Sequence, residues 1–244
     1  KLFNADGEVF IVEQVFYPYA LSLRGKGKVY VDTLTHLYFT EAEFFGQLKD
    51  CIVERGLRHI YHFTSFDNLL SIFDYGLLSR AELEKRKALY DKNDNERFDG
   101  LLDYINCSLE YPNNRLLATY EINTSKEFVL IEIDVSILFE QTAKCSFTNA
   151  AKNCGKDVLP IKRLERLFEG ERPYYIADNH PTDEQAEILI RDIVLPKYFK
   201  SLIFKSEESL KRVSERNIVI PNRLAIKIVP ELFETRKQKL RRMI

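Results

Sequence analysis

The sequence predicts an α+β fold. Strand-sized apolar runs recur at irregular spacing, helical periodicity falls between several of them, and no regular βαβ alternation links them. Phe128–Val135 is the plainest strand, since apolar residues dominate it and several are β-branched. Composition agrees with an ordinary globular protein: 244 residues, 45% hydrophobic and 30% charged. A chain of this length buries a proper core. With 36 Lys plus Arg against 37 Asp plus Glu, the net charge is −1. That balance gives no protein-wide attraction to nucleic acid, so any such binding is local.

Taken in order, Glu8–Phe16 and Lys28–Leu34 read as strands, with a turn at Arg24-Gly-Lys-Gly-Lys28 between them. Thr40 and Glu43 have capping-box spacing, Phe44, Phe45, Leu48, Cys51 and Ile52 follow at helical spacing, and Gly56 closes that helix. Arg58–Phe63 is a strand. A short helix carries Phe66, Leu69, Leu70, Phe73 and Leu77 on its apolar stripe and stops at Gly76. Ser79–Tyr90 is a second helix, Asp91–Gly100 a polar segment, and Asp103–Leu109 a strand with a Pro112-Asn-Asn turn after it. Beyond Phe128–Val135, Leu159–Glu169 reads as helix and Gly170–Asp183 as a loop. Glu187–Ile190 and Ser201–Phe204 are strands, Glu207–Arg216 a helix, Asn217–Val229 strand, and the chain is helical from Pro230.

Several function classes lack their signatures. No apolar run approaches the roughly 20 residues of a membrane span, and no signal peptide is visible. The chain begins at Lys1 without a Met, as expected of a piece of a longer protein. The four cysteines are too sparse for a disulfide framework, and the four histidines form no ligand-spaced cluster, so reduced thiols, no metal and a cytoplasmic setting are expected. Neither GxGxxG nor GxxxxGK[ST] occurs, which counts against Rossmann and P-loop sites.

Three segments concentrate polar chemistry. Ile60-Tyr-His-Phe-Thr64 puts an imidazole and a hydroxyl at a strand end. Glu96-Arg-Phe-Asp-Gly100 precedes the strand that bears Tyr104 and Asn106. His180-Pro-Thr-Asp-Glu-Gln-Ala-Glu187 runs into the apolar Ile188-Leu-Ile190.

With Asn68-Leu69, Gly76–Ser79, Arg97, Pro112-Asn113, Thr148-Asn-Ala-Ala151 and Gln185-Ala-Glu187, these segments resemble, in order, the DarT family of ADP-ribosyltransferases. Members are toxins of toxin–antitoxin systems that modify DNA bases. The resemblance covers about residues 58–205. It implies a core of two small packed sheets with flanking helices over 58–244, and leaves residues 1–57 as an N-terminal extension packed on that core. It also implies NAD as co-substrate, single-stranded DNA as target, a macrodomain antitoxin as partner, no membrane association and a monomer.

The same resemblance implies roles for particular residues. Glu187 and Arg97 are the catalytic pair. His62, Phe63, Thr64, Ser71, Ser79 and Arg97 hold the cofactor, and Gln185, Tyr104, Asn106, Tyr175 and His180 meet the substrate. The chemistry suits these types. A carboxylate by the ribose steadies the oxocarbenium-like centre that forms as the nicotinamide bond breaks. It can also draw a proton from the attacking base. At Phe63 the backbone is the relevant group. A guanidinium at Arg97 grips a pyrophosphate in bidentate fashion, a role for which Arg80, Lys85 and Arg86 compete. If Gln185 lies in the strand of Glu187, the two share a face and the amide can pair with a base edge.

Plainer readings exist for each. Glu187 can be a solvated Glu beside a core strand, His62 a satisfied core or edge histidine, and Gln185 and Arg97 surface residues. The loop at 170–183, with Arg172, Tyr174, Tyr175, Asn179 and His180, suits stacking on unpaired bases. The basic run Arg236-Lys-Gln-Lys-Leu-Arg-Arg242 suits either phosphates or the end of a solvated helix. Two alternatives are kept: a transferase acting on RNA or protein, and a non-catalytic nucleic-acid-binding module.

Overall fold

The computed structural model describes residues 37–87 and 100–243, together with the strands of the first 32 residues. Side chains are described from Gly46 onward, apart from Asn153, Lys239, Leu240, Arg242 and Met243. Two compact units divide the chain at Glu54 and Arg55.

In the first unit, β1 (Leu2–Phe3) pairs with β2 (Val9–Phe10). A four-stranded antiparallel meander follows, made of β3 (Val12–Tyr17), β4 (Ala20–Leu23), β5 (Gly27–Asp32) and β6 (Leu37–Thr40), and α1 (Glu41–Glu54) comes next. The two predicted strand regions correspond to β2–β3 and to β5, while β4 and β6 were not anticipated. The side chains of the expected capping box lie outside the described residues, as does part of the Arg24–Lys28 turn.

The second unit contains β7 (His59–Ser65), α2 (Leu69–Tyr75), β8 (Leu77–Leu78), α3 (Arg80–Lys85), β9 (Tyr104–Leu109) and α4 (Asn114–Thr124). It continues with β10 (Phe128–Asp134), α5 (Ile137–Glu140), β11 (Ala143–Ser146), β12 (Val158–Pro160), β13 (Glu187–Arg191) and β14 (Ile193–Val194). Last come β15 (Phe199–Phe204), α6 (Glu207–Glu215), β16 (Ala225–Ile228) and α7 (Arg236–Met243). The fold class is the predicted α+β.

Eight strands form one sheet in the order β12-β11-β13-β9-β7-β10-β15-β16. All neighbours are antiparallel except β15 and β16. The sheet consists of two four-stranded halves. Their junction, β7 to β9, has only two register positions, Ile60–Leu109 and Tyr61–Ser108. In the first half, Ile188, Ile190, Cys145, Ile105 and Cys107 form a fully apolar buried face. In the second, Tyr61, Leu117, Phe128, Leu130, Ile203 and Phe233 pack into one cluster. On the same face, opposite Tyr61, Glu132, 2% exposed, is held by His59 at 2.7 Å, by Lys227 and by Ser201.

Several local expectations need correction. Leu70 is 54% exposed, so the buried stripe is Phe66, Leu69 and Ile72. Gly76 does end that helix: its φ is +85°, and a Cβ there would sit 2.3 Å from the Val194 carbonyl oxygen. Residues 159–169 are not an α-helix but a short strand and a 3₁₀ segment, Ile161–Phe168. Ile161, Leu164 and Leu167 recur every three residues, which is the 3₁₀ period. The Asn217–Val229 strand is cut to Ala225–Ile228 by a turn at Pro221, whose carbonyl accepts from Leu224. α4 was not anticipated; only Asn114 and Leu117 of it are buried, so no apolar stripe marks it. The polar segment Asp91–Gly100, Gly100 excepted, lies outside the described residues.

Candidate active site

The junction of the half-sheets creates the first part of the site. The His59 carbonyl accepts from Glu110 N at 2.8 Å, so odd-numbered residues of β7 turn their backbone groups toward β9. The β7–β9 ladder ends at Tyr61. The N–H and C=O of Phe63 therefore point into the gap without a ladder partner, a donor and an acceptor side by side. Such a pair matches a carboxamide. The Phe63 ring turns away into the core, 5.8 Å from the Tyr120 ring and 6.1 Å from that of Phe128. Across the gap, His62 Nδ1 lies 2.9 Å from the Asn106 carbonyl oxygen. Burial lowers the His62 pKa from 6.5 while this hydrogen bond pulls it up, and burial dominates. The ring is neutral, with its proton on Nδ1 and Nε2 left as an acceptor.

Glu187 opens β13 and is 3% exposed. Its Oε2 accepts from Ala150 N at 2.8 Å and its Oε1 from Asn149 Nδ2 at 3.3 Å. Ser146 stands opposite it on β11, and Asn106 stands opposite Leu189 on β9. Cross-strand partners share a face, so Glu187, Ser146, Asn106, Lys144 and Tyr104 all belong to the face that is not the apolar one. Asn106 Oδ1 and Ser146 Oγ are buried without a hydrogen-bond partner. A polar atom left in that state costs about 1–3 kcal/mol. Orphaned polar atoms flanking a buried carboxylate mark a place that a polar ligand completes.

The loop before β13 is built rather than slack. Arg172 Nη1 donates to the carbonyls of Ala177 and His180, each at 2.7 Å. Arg236, the first residue of α7, donates to the Pro181 carbonyl at 3.0 Å and lies over the Tyr111 ring at 5.3 Å. It is 5% exposed, and burial pulls its pKa down to about 10 despite the pull of Glu184 and Asp183. Arg236 is thus withdrawn from the basic run, for which phosphates and a solvated helix end were both open readings. Tyr174, 84% exposed, sits at the outside of the loop, its ring 5.5 Å from that of Tyr175.

The family model described as ssDNA thymidine ADP-ribosyltransferase, DarT, matches residues 61–233. The chain belongs to the DarT family. Among solved structures, Thermosipho africanus DarTG in complex with ADP-ribose is similar at 18% identity and TM-score 0.51, over 72% of this chain. The match spans 51% of that chain, about half its length. Thermus sp. 2.9 DarT in complex with carba-NAD+ is similar at 12% identity and TM-score 0.50, over 72% of this chain and 97% of that one. At these identities the likeness concerns the fold. No curated protein matches.

The residues assigned by DarT resemblance scatter more than their order implied. His62, Phe63 and Asn106 meet at the β7–β9 junction, and Asn106 shares a face with Glu187. Thr64 Oγ1 accepts from Asn68 Nδ2 at 3.2 Å, and Ser71 Oγ donates to the Asn68 carbonyl at 2.9 Å. Ser79 caps α3 by accepting from Glu82 N at 3.3 Å. The Tyr104 ring is buried beside Ala150 and Leu189, with Lys144 Nζ 4.8 Å from its centre. Gln185 is in a turn closed by Ala186 N on the Asp183 carbonyl, not in β13, so the same-face argument with Glu187 does not apply. Tyr175 lines a cavity of about 630 Å³ with Phe147, Arg115 and Lys237, whereas His180 lines another of about 410 Å³ with His59, Glu110 and Tyr111. Arg97 lies outside the described residues.

Sequence reasoning assigned no role to Ser146, Asn149 or Ala150, and placed Arg236 only within the basic run of α7. The string Thr148-Asn-Ala-Ala151 was the available signal for the second and third of these. Among the described residues no cluster of three or more His, Cys, Asp or Glu could hold a metal, and no helix is long and apolar enough to cross a membrane.

Proposed function

We propose that this chain transfers the ADP-ribosyl group of NAD to a base of single-stranded DNA, with thymidine, the target in the family's description, as the base. The observation that carries this reading is the family match over residues 61–233, which encloses His62, Asn106 and Glu187. The similar Thermus and Thermosipho proteins were solved with carba-NAD+ and ADP-ribose, which fits the ligand chemistry argued from the β7–β9 gap.

In this reaction the bond between nicotinamide and ribose C1′ breaks, C1′ bonds to a base nitrogen, and that nitrogen gives up its proton. The Phe63 N–H and C=O hold the carboxamide of nicotinamide. His62 Nε2 accepts from a ribose hydroxyl. Glu187 steadies the positive charge that develops at the ribose, where a buried carboxylate acts more strongly than a solvated one. Asn106 Oδ1 finds in the substrate the donor it lacks. Arg97 serves the pyrophosphate and the reacting base, and the loop bearing Tyr175, His180 and Gln185 receives the strand.

The finer reading follows the family. The chain is the toxin of a toxin–antitoxin pair, works in the cytoplasm as a monomer, and is opposed by a macrodomain antitoxin. Residues 1–57 form an extension of the transferase core.

Incubating the protein with NAD and each of the four homopolymeric single-stranded oligonucleotides tests the proposal. We expect a mass gain of one ADP-ribose on oligo-dT and release of nicotinamide. No gain on any oligonucleotide, with NAD binding shown by a thermal shift, defeats the DNA assignment. Parallel RNA and protein substrates show where the label goes instead.

A further inference from the structure

We propose that Asn149 is a positioning residue for the Glu187 carboxylate, and that its two side-chain atoms do separable work. This rests on the reading of Glu187 given above. Asn149 Oδ1 accepts from Ala151 N at 3.0 Å and so caps the 3₁₀ turn Ala150–Asn153. Asn149 Nδ2 lies 3.3 Å from Glu187 Oε1. The capped turn aims the Ala150 N–H at Oε2, 2.8 Å away. One residue therefore orients both oxygens of a carboxylate 38 positions along the chain, one directly and one through the turn.

The arrangement matters because Glu187 is buried. A carboxylate that is 3% exposed is oriented by protein donors rather than by water. Rotation about its last torsion is broad and roughly two-fold when nothing holds it. Two donors from one short segment fix that torsion, and small misplacements of a catalytic group are costly in rate. Ser146, the cross-strand neighbour of Glu187, contributes no second clamp, since its hydroxyl is buried without a partner.

The two atoms of Asn149 can be tested apart. Asn149→Ser and Asn149→Asp each keep an acceptor for Ala151 N and delete the Nδ2 donor, whereas Asn149→Ala deletes both. We expect the Ser variant to keep a Tm within about 2 °C of wild type, and the Asp variant to lose Tm, because its new carboxylate faces Glu187 Oε1 where Nδ2 stood. Their kcat for DNA ADP-ribosylation should fall by about tenfold or more, with KM for NAD within about twofold. Asn149→Ala should lose both rate and Tm. Wild-type kcat in the Ser variant overturns the inference. So does a raised KM at unchanged kcat, which would make Asn149 a binding group. A large Tm loss in the Ser variant also overturns it, since Asn149 would then be a structural residue. Wild type and Glu187→Gln are run alongside. Full activity in Glu187→Gln, or none in wild type, defeats the reading of the site and this inference with it, whereas a failure confined to the Asn149 variants leaves that reading standing.

Discussion

His62 Nδ1 lies 2.9 Å from the Asn106 carbonyl oxygen, across the point where β7 and β9 part. A carbonyl can only accept, so the imidazole's proton is committed to it. The pH dependence has a definite sign. Burial holds the folded pKa below the ordinary 6.5, so on acidification the unfolded chain takes up the proton first. Stability falls as pH drops below about 6.5 and keeps falling until the folded pKa is reached. Tm measured between about pH 7.5 and about pH 5 should drop more in wild type than in His62→Gln. Parallel curves would exonerate His62.

Glu187→Gln keeps the size of the side chain but not its chemistry. Both donors at this position face acceptors now, so one of them would meet the new amide's N–H₂. We expect transfer to fall by about 10²–10³-fold, with the NAD-induced rise in Tm preserved. Transfer within a few-fold of wild type would take Glu187 out of the reaction.

Ser79 separates two roles cleanly. Its hydroxyl accepts from Glu82 N and caps α3. Ser79→Ala should cost about 1 kcal/mol, seen as a Tm lower by a few degrees, with KM for NAD unchanged. A raised KM at constant Tm would return Ser79 to the cofactor site that the family pattern suggests.

Arg236 ties α7 to the loop before β13 through the Pro181 carbonyl. Arg236→Ala should loosen that loop. Amide exchange at His180 and Thr182, which donate to the carbonyls of Ala177 and Leu167, should quicken, and DNA affinity should weaken. Exchange at those amides equal to wild type would show that Arg236 holds α7 alone.

Strands buried on both sides were legible in the sequence because their apolar residues run together. Phe128–Val135 was expected and Phe128–Asp134 is observed. The elements that escaped were those whose burial is partial. α4 hides only Asn114 and Leu117, and the segment after Pro160 carries a three-residue period that also resembles a helix. In the site, His62 and Glu187 were legible as residue types beside apolar runs; Glu187 does begin a strand, whereas His62, expected at a strand end, lies at the middle of β7. The bracket on Glu187 was not, because it forms between segments that only the β11–β13 pairing brings together. Arg236 misled for a related reason. A basic run looks solvated, yet an aromatic face, a carbonyl and two nearby carboxylates admit one of its cations to the interior.

That buried arginine bears on where the protein can be cut. The family match ends at residue 233, and Arg236 lies just past it. A fragment trimmed to the family boundary would retain His62, Asn106 and Glu187 but lose the bolt that fastens the loop before β13. A fusion partner joined at that boundary, or a premature stop there, would act on the loop without touching His62, Asn106 or Glu187. The working length of the transferase therefore runs on into α7.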